Sequence, residues 1–65
     1  MLNWTYVNYD VPGATDPYRE GVCLSTDTKP TGEGIGNGSK LMEMDTSKLY
    51  LYDKDADEWK EWGGN

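Results

Sequence analysis

The sequence has no histidine, no phenylalanine and a single cysteine, Cys23, among its 65 residues. A lone thiol cannot form a disulfide within the chain, and the common zinc-binding spacings need histidine or further cysteines. Nucleophilic catalysis needs an activating base, which is commonly histidine. Paired carboxylates are available, but a chain this short cannot wall the cleft that a glycosidase needs. We therefore predict a non-enzymatic protein without a metal or a cofactor.

Positive charge and long apolar runs are also scarce. Six basic residues against twelve acidic ones give a net charge of −6, whereas binding to a phosphate backbone needs an excess of lysine and arginine. No apolar run approaches the ~20 residues of a membrane span, and the N-terminus lacks the basic and then apolar pattern of a signal peptide. We expect a soluble cytoplasmic protein that binds neither a nucleic-acid polymer nor a membrane.

The shortness of the chain predicts self-association. Domains of this size bury only about 60% of the surface that the unfolded chain exposes, and they usually gain stability from disulfides, a metal or oligomerisation. Because the residue types for the first two are missing, we expect a homo-oligomer formed by a single domain, residues 1–65.

The N-terminal part of the chain predicts two strands separated by loops. Residues 1–11 are rich in aromatic and β-branched residues and precede Pro12-Gly13, which indicates a strand that places Trp4 and Tyr6 on one face. Residues 12–39 are loop-rich, with one short apolar strand at Gly21–Thr26. Four glycines and a proline within Thr28–Ser39 predict a flexible connector.

The C-terminal part, residues 40–62, predicts a β-meander, followed by a tail at 63–65. Two alternating runs flank the turn residues from Asp45 to Lys48 and indicate a hairpin. A two-residue turn would pair Met44 with Leu49 and Met42 with Leu51 on an apolar core face. The opposite face would carry Leu41, Glu43, Tyr50 and Tyr52. A third strand follows at Trp59–Trp62, and a short helix over Ala56–Trp62 is the alternative. The predicted fold is small and all-β: an antiparallel meander of three to five strands with long Gly/Pro loops, completed by oligomerisation.

Two motifs superficially suggest ligand binding. The glycines from Gly32 to Gly38 resemble a phosphate-binding loop, but no βαβ context surrounds them, so a connector is favoured. The aspartates from Asp53 to Asp57 alternate as in a calcium loop. However, Glu58 stands where that loop needs glycine and Gly64 stands where it needs glutamate, which favours a charged turn.

Tyrosine and tryptophan are the informative residue types, because five tyrosines and three tryptophans provide all of the aromatic rings. Such rings either fill a core that is poor in leucine and isoleucine or contact a partner. A planar nucleotide ligand would also need cations for its phosphate. The candidate ligand-binding or partner-binding residues are Trp4, Tyr6, Tyr18, Arg19, Lys29, Lys40, Tyr50, Tyr52, Trp59 and Trp62.

The C-terminal segment resembles a segment found in small proteins of phages and prophages of Gram-positive bacteria. The resemblance covers about 25 residues and rests on Asn37-Gly38-Ser39, Met44-Asp45-Thr46-Ser47-Lys48, Tyr50-Leu51-Tyr52-Asp53 and Trp59. Ser47 departs from the pattern, which usually has glycine there, so a turn that needs a positive φ would be strained or replaced by another turn type.

The resemblance implies an oligomeric, virion-associated protein of a phage head, tail or fibre, located in the host cytoplasm during infection and then in the virion. The alternative is an anti-defence protein that inhibits a host immune protein or sequesters a nucleotide immune signal. An inhibitor that mimics nucleic-acid charge should gather Asp53, Asp55, Asp57, Glu58 and Glu61 on one face. A nucleotide-sequestering protein should bring Arg19 together with Lys29 or Lys40 and with Tyr18 or a tryptophan.

Overall fold

Within residues 1–8 and 16–63, which the computed structural model describes, five short β-strands form one sheet and no helix occurs. This confirms the predicted all-β class. The last strand predicted for the C-terminal part is present, and the alternative short helix does not form there. The remainder of the predicted N-terminal strand, residues 9–11, lies outside the described residues. The strands are β1 (Asn3–Val7), β2 (Arg19–Cys23), β3 (Lys40–Glu43), β4 (Lys48–Asp53) and β5 (Glu58–Glu61).

The strands lie in the sheet in their sequence order, but one pair departs from the predicted antiparallel meander. β1 with β2, β3 with β4 and β4 with β5 are antiparallel, whereas β2 and β3 run parallel. Parallel neighbours need a long connection that returns the chain to the same end of the sheet. Residues 24–39 form this connection, which we call the crossover.

The hairpin of β3 and β4 has a different register from the predicted one. Glu43 pairs with Lys48 and Met42 pairs with Leu49, because the turn holds four residues, 44–47, and not two. The predicted pairs of Met44 with Leu49 and of Met42 with Leu51 are therefore wrong. The shift is by two residues, so it leaves the same side chains on each face.

The predicted core face is also wrong. Met42 and Met44 are exposed, while Leu41, Glu43 and Tyr52 are buried on the opposite face. The crossover covers that face, which we call the covered face, and contributes Ile35 to the core. The face with Met42 and Leu49 is not covered by any described residues of the chain, and we call it the open face.

A β-bulge at Thr5 separates Trp4 from Tyr6. Trp4 pairs with Gly21 and Tyr6 with Glu20, so one residue of β1 is skipped in the pairing. Since neighbouring residues of a strand point to opposite faces, Trp4 lies on the covered face and Tyr6 on the open face. The prediction that these two rings share a face is wrong, because alternation along a single strand cannot reveal a bulge.

The two hairpins of the meander end in the same kind of turn. Residues 44–47 and 54–57 each form a four-residue turn, and the last residue of each, Ser47 and Asp57, has a positive φ, 60° and 56°. Residues with a Cβ are strained in this left-handed region. Ser47 therefore adopts the positive φ, in which its side chain is strained.

We expect the substitution Ser47→Gly to raise the free energy of unfolding by about 0.5–1 kcal/mol, because it relieves the strain at positive φ and exceeds the entropic cost of glycine. Asp57→Gly is the matched control. It relieves the same strain, but it removes the carboxylate that accepts hydrogen bonds from Tyr52 and Gly32, so it should destabilise. Urea unfolding of both variants checks the pair, and equal effects at the two positions would contradict the expectation.

Candidate functional site

The aromatic rings of the covered face attach the crossover to the sheet. Tyr52 packs on Trp59 with ring centroids 5.1 Å apart. The Tyr52 hydroxyl donates a hydrogen bond to Asp57 and accepts one of 2.9 Å from the Gly32 amide, while the Trp59 indole donates one of 2.8 Å to the Pro30 carbonyl. Together with the buried Ile35 and Leu41, these rings form the core of the described part of the chain.

A buried ion pair attaches the crossover near its start. The Lys29 ammonium lies 2.6 Å from the Glu43 carboxylate, and both side chains are largely shielded from solvent. The hydrogen bond from Lys29 lowers the pKa of Glu43 below its ordinary value, and the Thr46 hydroxyl adds a second hydrogen bond of 2.6 Å. Lys29 also lies over the Tyr50 ring. Burial raises the pKa of the neighbouring Cys23 thiol, which opposes its ionisation.

Arg19 holds the far end of the crossover. Its guanidinium lies 5.4 Å from the Trp4 ring centroid and donates a hydrogen bond of 2.6 Å to the Gly34 carbonyl. Its backbone amide donates to the buried Ser39 hydroxyl. Asp16 accepts from the Gly34 amide at 2.7 Å. The glycine-rich segment, predicted as a flexible connector, is therefore hydrogen-bonded along its length.

The predicted binding residues divide between the two faces. The covered face holds Trp4, Arg19, Lys29, Tyr50, Tyr52 and Trp59. The open face holds Tyr6, Tyr18, Lys40 and Trp62. Arg19 and Lys40 thus lie on opposite faces. Arg19, Lys29 and Trp4 share the covered face, where Arg19 is bonded to Gly34 and Lys29 to Glu43.

The acidic residues expected on one face for a nucleic-acid mimic are also divided. Asp53 and Glu58 flank Lys60 on the open face, at 3.2 Å and 3.8 Å from its ammonium. Asp57 accepts a hydrogen bond from Tyr52 on the covered face. Glu61 of β5 pairs with Tyr50 of β4 and lies on the same face.

The open face carries a row of apolar side chains across four strands. Trp62 continues β5 through the hydrogen bond from its amide to the Leu49 carbonyl. Leu49 pairs with Met42, and Met42 pairs with Val22. We call these four residues the apolar row. Met42 is 36% exposed and Trp62 is 62% exposed, whereas Val22 and Leu49 are half-buried between them.

Further apolar groups extend this surface. Leu24 and Met44 follow Val22 and Met42 just beyond the ends of β2 and β3, and Tyr6 adds its ring at the β1 edge. With about 200 Å² for each large side chain, the exposed fractions of Tyr6, Leu24, Met42, Met44 and Trp62 give on the order of 500 Å² of apolar surface. Monomeric proteins rarely expose larger contiguous patches, and patches of ~300–600 Å² are often functional.

A polar network borders the apolar row. The Lys40 ammonium donates a hydrogen bond of 2.7 Å to the Tyr18 hydroxyl, which donates one of 2.6 Å to Glu20. The hydrogen bond to Tyr18 raises the pKa of Lys40. This network fixes the Tyr18 ring, which lies 6.5 Å from the Tyr6 ring.

An open depression of about 400 Å³ is lined by residues that include Asn37, Leu51, Asp55 and Lys60. Lys60 is the one cation among its lining residues, and carboxylates already surround it. The depression is therefore poorly suited to a phosphate group, which needs an excess of positive charge.

Two further properties concern the described residues only. No group of three potential metal ligands occurs within residues 1–8 and 16–63. This part of the chain also has no helix that is long and apolar enough to cross a membrane. Comparison of the chain with known protein families, with curated proteins and with solved structures found no match.

Sequence reasoning missed the centre of the exposed surface. Met42 and Leu49 are predicted for the core, Val22 is not a candidate, and only Trp62 of the apolar row is one. The sequence contains one signal for this surface, because both faces of the hairpin are partly apolar. A single sheet that is covered on one side leaves its other face to solvent.

Proposed function

We propose that this protein is a non-enzymatic binding module of phage origin, a virion-associated protein that joins other protein subunits through its open face. The observation that carries the proposal is the apolar row, in which Met42 and Trp62 are exposed and Val22 and Leu49 are half-buried, on a protein whose aromatic core lies on the opposite face. The resemblance of residues 37–59 to phage proteins supports the virion setting.

The placement of the charged groups supports a protein partner. Each candidate cation is engaged within the chain: Arg19 by Gly34, Lys29 by Glu43 and Lys40 by Tyr18. A phosphate ligand would have to displace these contacts. An apolar surface bordered by polar groups is instead the usual arrangement of a protein interface.

Analysis of purified phage particles tests this proposal. Particles from a culture that produces the protein are banded in a density gradient, and the protein is quantified in the band by mass spectrometry. We expect it to co-sediment with the particles. We expect Met42→Lys, which places a charge in the centre of the apolar row, to reduce co-sedimentation at least about tenfold, equivalent to ~1.4 kcal/mol of binding.

Thr31→Lys is the matched control, because Thr31 is exposed on the crossover and the substitution adds the same charge. It should leave co-sedimentation unchanged. Absence of the wild-type protein from the particles would overturn the virion assignment, and equal behaviour of the two variants would exclude the open face as the contact.

A further inference from the structure

We infer that the open face is covered by the open face of a second copy of this chain, so that two sheets form a two-layer β-sandwich related by a twofold axis. This inference rests on the proposed function, and it specifies that the subunit that binds to the open face is a second copy of the chain. Two sheets packed face to face lie about 10 Å apart and interdigitate their inner side chains.

The distribution of charge favours a second copy over a charged partner. The strands of the open face carry two lysines, Lys40 and Lys60, and three carboxylates, Glu20, Asp53 and Glu58. Their sum is −1, so −5 of the net charge of −6 lies on the rest of the chain. Two acidic copies repel each other least through this nearly neutral face.

The apolar row can pack on the apolar row of a second copy that runs in the opposite direction. It spans β2 to β5, so a twofold axis along the strands between β3 and β4 places Trp62 over Val22 of the other copy and Leu49 over Met42. In a twofold interface, a residue that contacts a second residue of the other copy is contacted in turn by that second residue's own copy. The apolar row satisfies this requirement.

The two ends of the neighbouring row become complementary in charge under the same operation. Lys60, Leu51, Lys40 and Glu20 follow one another across β5, β4, β3 and β2. The axis that pairs Trp62 with Val22 also places Lys60 over Glu20 of the other copy. The apolar pairing and the charge pairing therefore agree on one arrangement.

The available area suits a pair of small subunits. Leu24, Met42, Met44 and Trp62 lie on or just beyond the strands that the other copy covers, and their exposed fractions give on the order of 400 Å² per copy, using about 200 Å² for each large side chain. Two copies together remove about 800 Å² of apolar surface, and the polar border brings the total toward the ~1,200 Å² lower limit of specific interfaces. We therefore expect a dimer that dissociates on dilution.

Two methionines of the wild-type chain, Met42 and Met1, test the inference without any substitution. Met42 lies in the centre of the proposed interface, whereas Met1 is 88% exposed. Hydrogen peroxide oxidises accessible methionine to the sulfoxide. We expect the rate for Met42, relative to that for Met1, to fall severalfold between dilute and concentrated protein, while sedimentation velocity shows the change from monomer to dimer. A constant ratio across the range would overturn the inference.

Two variants complete the test. Met42→Lys should be monomeric at every concentration, whereas Thr31→Lys should dimerise like the wild type, and circular dichroism confirms that both fold. A dimer that survives Met42→Lys, or a monomeric wild type, would overturn the inference. If the wild type is monomeric but co-sediments with particles through Met42, only the second copy is excluded. If it dimerises but is absent from particles, only the virion assignment is excluded.

Discussion

Replacing Tyr52 with alanine should lower the free energy of unfolding of this protein by about 3–5 kcal/mol. The Tyr52 side chain is 2% exposed and packs on Trp59 beneath the crossover. Truncation of a buried aromatic side chain costs about 3–5 kcal/mol. A chain of this length has a total stability of only about 3–10 kcal/mol, at 0.05–0.15 kcal/mol per residue. Urea unfolding followed by tryptophan fluorescence measures the loss.

Tyr52→Phe is the matched control for this prediction. It keeps the ring and its packing but removes the hydroxyl that bonds to Asp57 and Gly32. The Gly32 amide retains a second acceptor, the Asp57 carboxylate, at 2.9 Å. We therefore expect a folded variant with a much smaller loss of stability. Similar losses for the alanine and phenylalanine variants would assign the role of Tyr52 to its hydroxyl and contradict the packing argument.

Gly36→Ala should cause the second-largest loss of stability, about 3 kcal/mol of the free energy of unfolding. This value lies at the upper end of the range for overpacking. A Cβ at Gly36 would lie 2.7 Å from the Asp16 carbonyl oxygen and 2.9 Å from the Tyr18 amide nitrogen. Both atoms belong to backbone, which cannot rotate away as a side chain can. The crossover would have to separate from residues 16–18 and would lose the hydrogen bond between the Gly36 amide and the Pro17 carbonyl.

Gly38→Ala separates this crowding from the conformational requirement of a glycine. Gly38 has a φ of +82°, and a Cβ added there would meet no atom within 4 Å, so alanine should cost only about 1–2 kcal/mol for the left-handed conformation. Thermal unfolding of the two variants under the same conditions provides the comparison. A larger loss of stability for Gly38→Ala than for Gly36→Ala would contradict this expectation. It would show that the crossover needs glycine for the positive φ and not for the close approach of backbone segments.

The strands could be predicted from the sequence because each leaves a local signal. The alternating runs from Lys40 to Tyr52 and the returning Trp59 indicate the meander, and turn residues mark its ends. The register could not be predicted, because the residues from Met44 to Lys48 fit a two-residue turn as well as a four-residue turn. Only the structure shows that Glu43 pairs with Lys48.

The orientation of the sheet could not be predicted either, because it depends on partners distant in the sequence. Apolar content alone favours the face with Met42 and Leu49 as the core. Glu43 can be buried on the other face because Lys29, fourteen residues earlier, neutralises its carboxylate. The glycines of the crossover predict flexibility, whereas Gly36 allows two backbone segments to approach closely.

The parallel pairing of β2 with β3 has a consequence for the order in which the chain folds. Hairpins close short loops, and β3, β4 and β5 are joined by turns of four residues, so this part can form early. β2 can join only after sixteen residues, 24–39, have been brought back across the sheet, which carries a larger loop-closure entropy. We therefore expect the meander to form first, as a surface on which the crossover closes and β2 is then added.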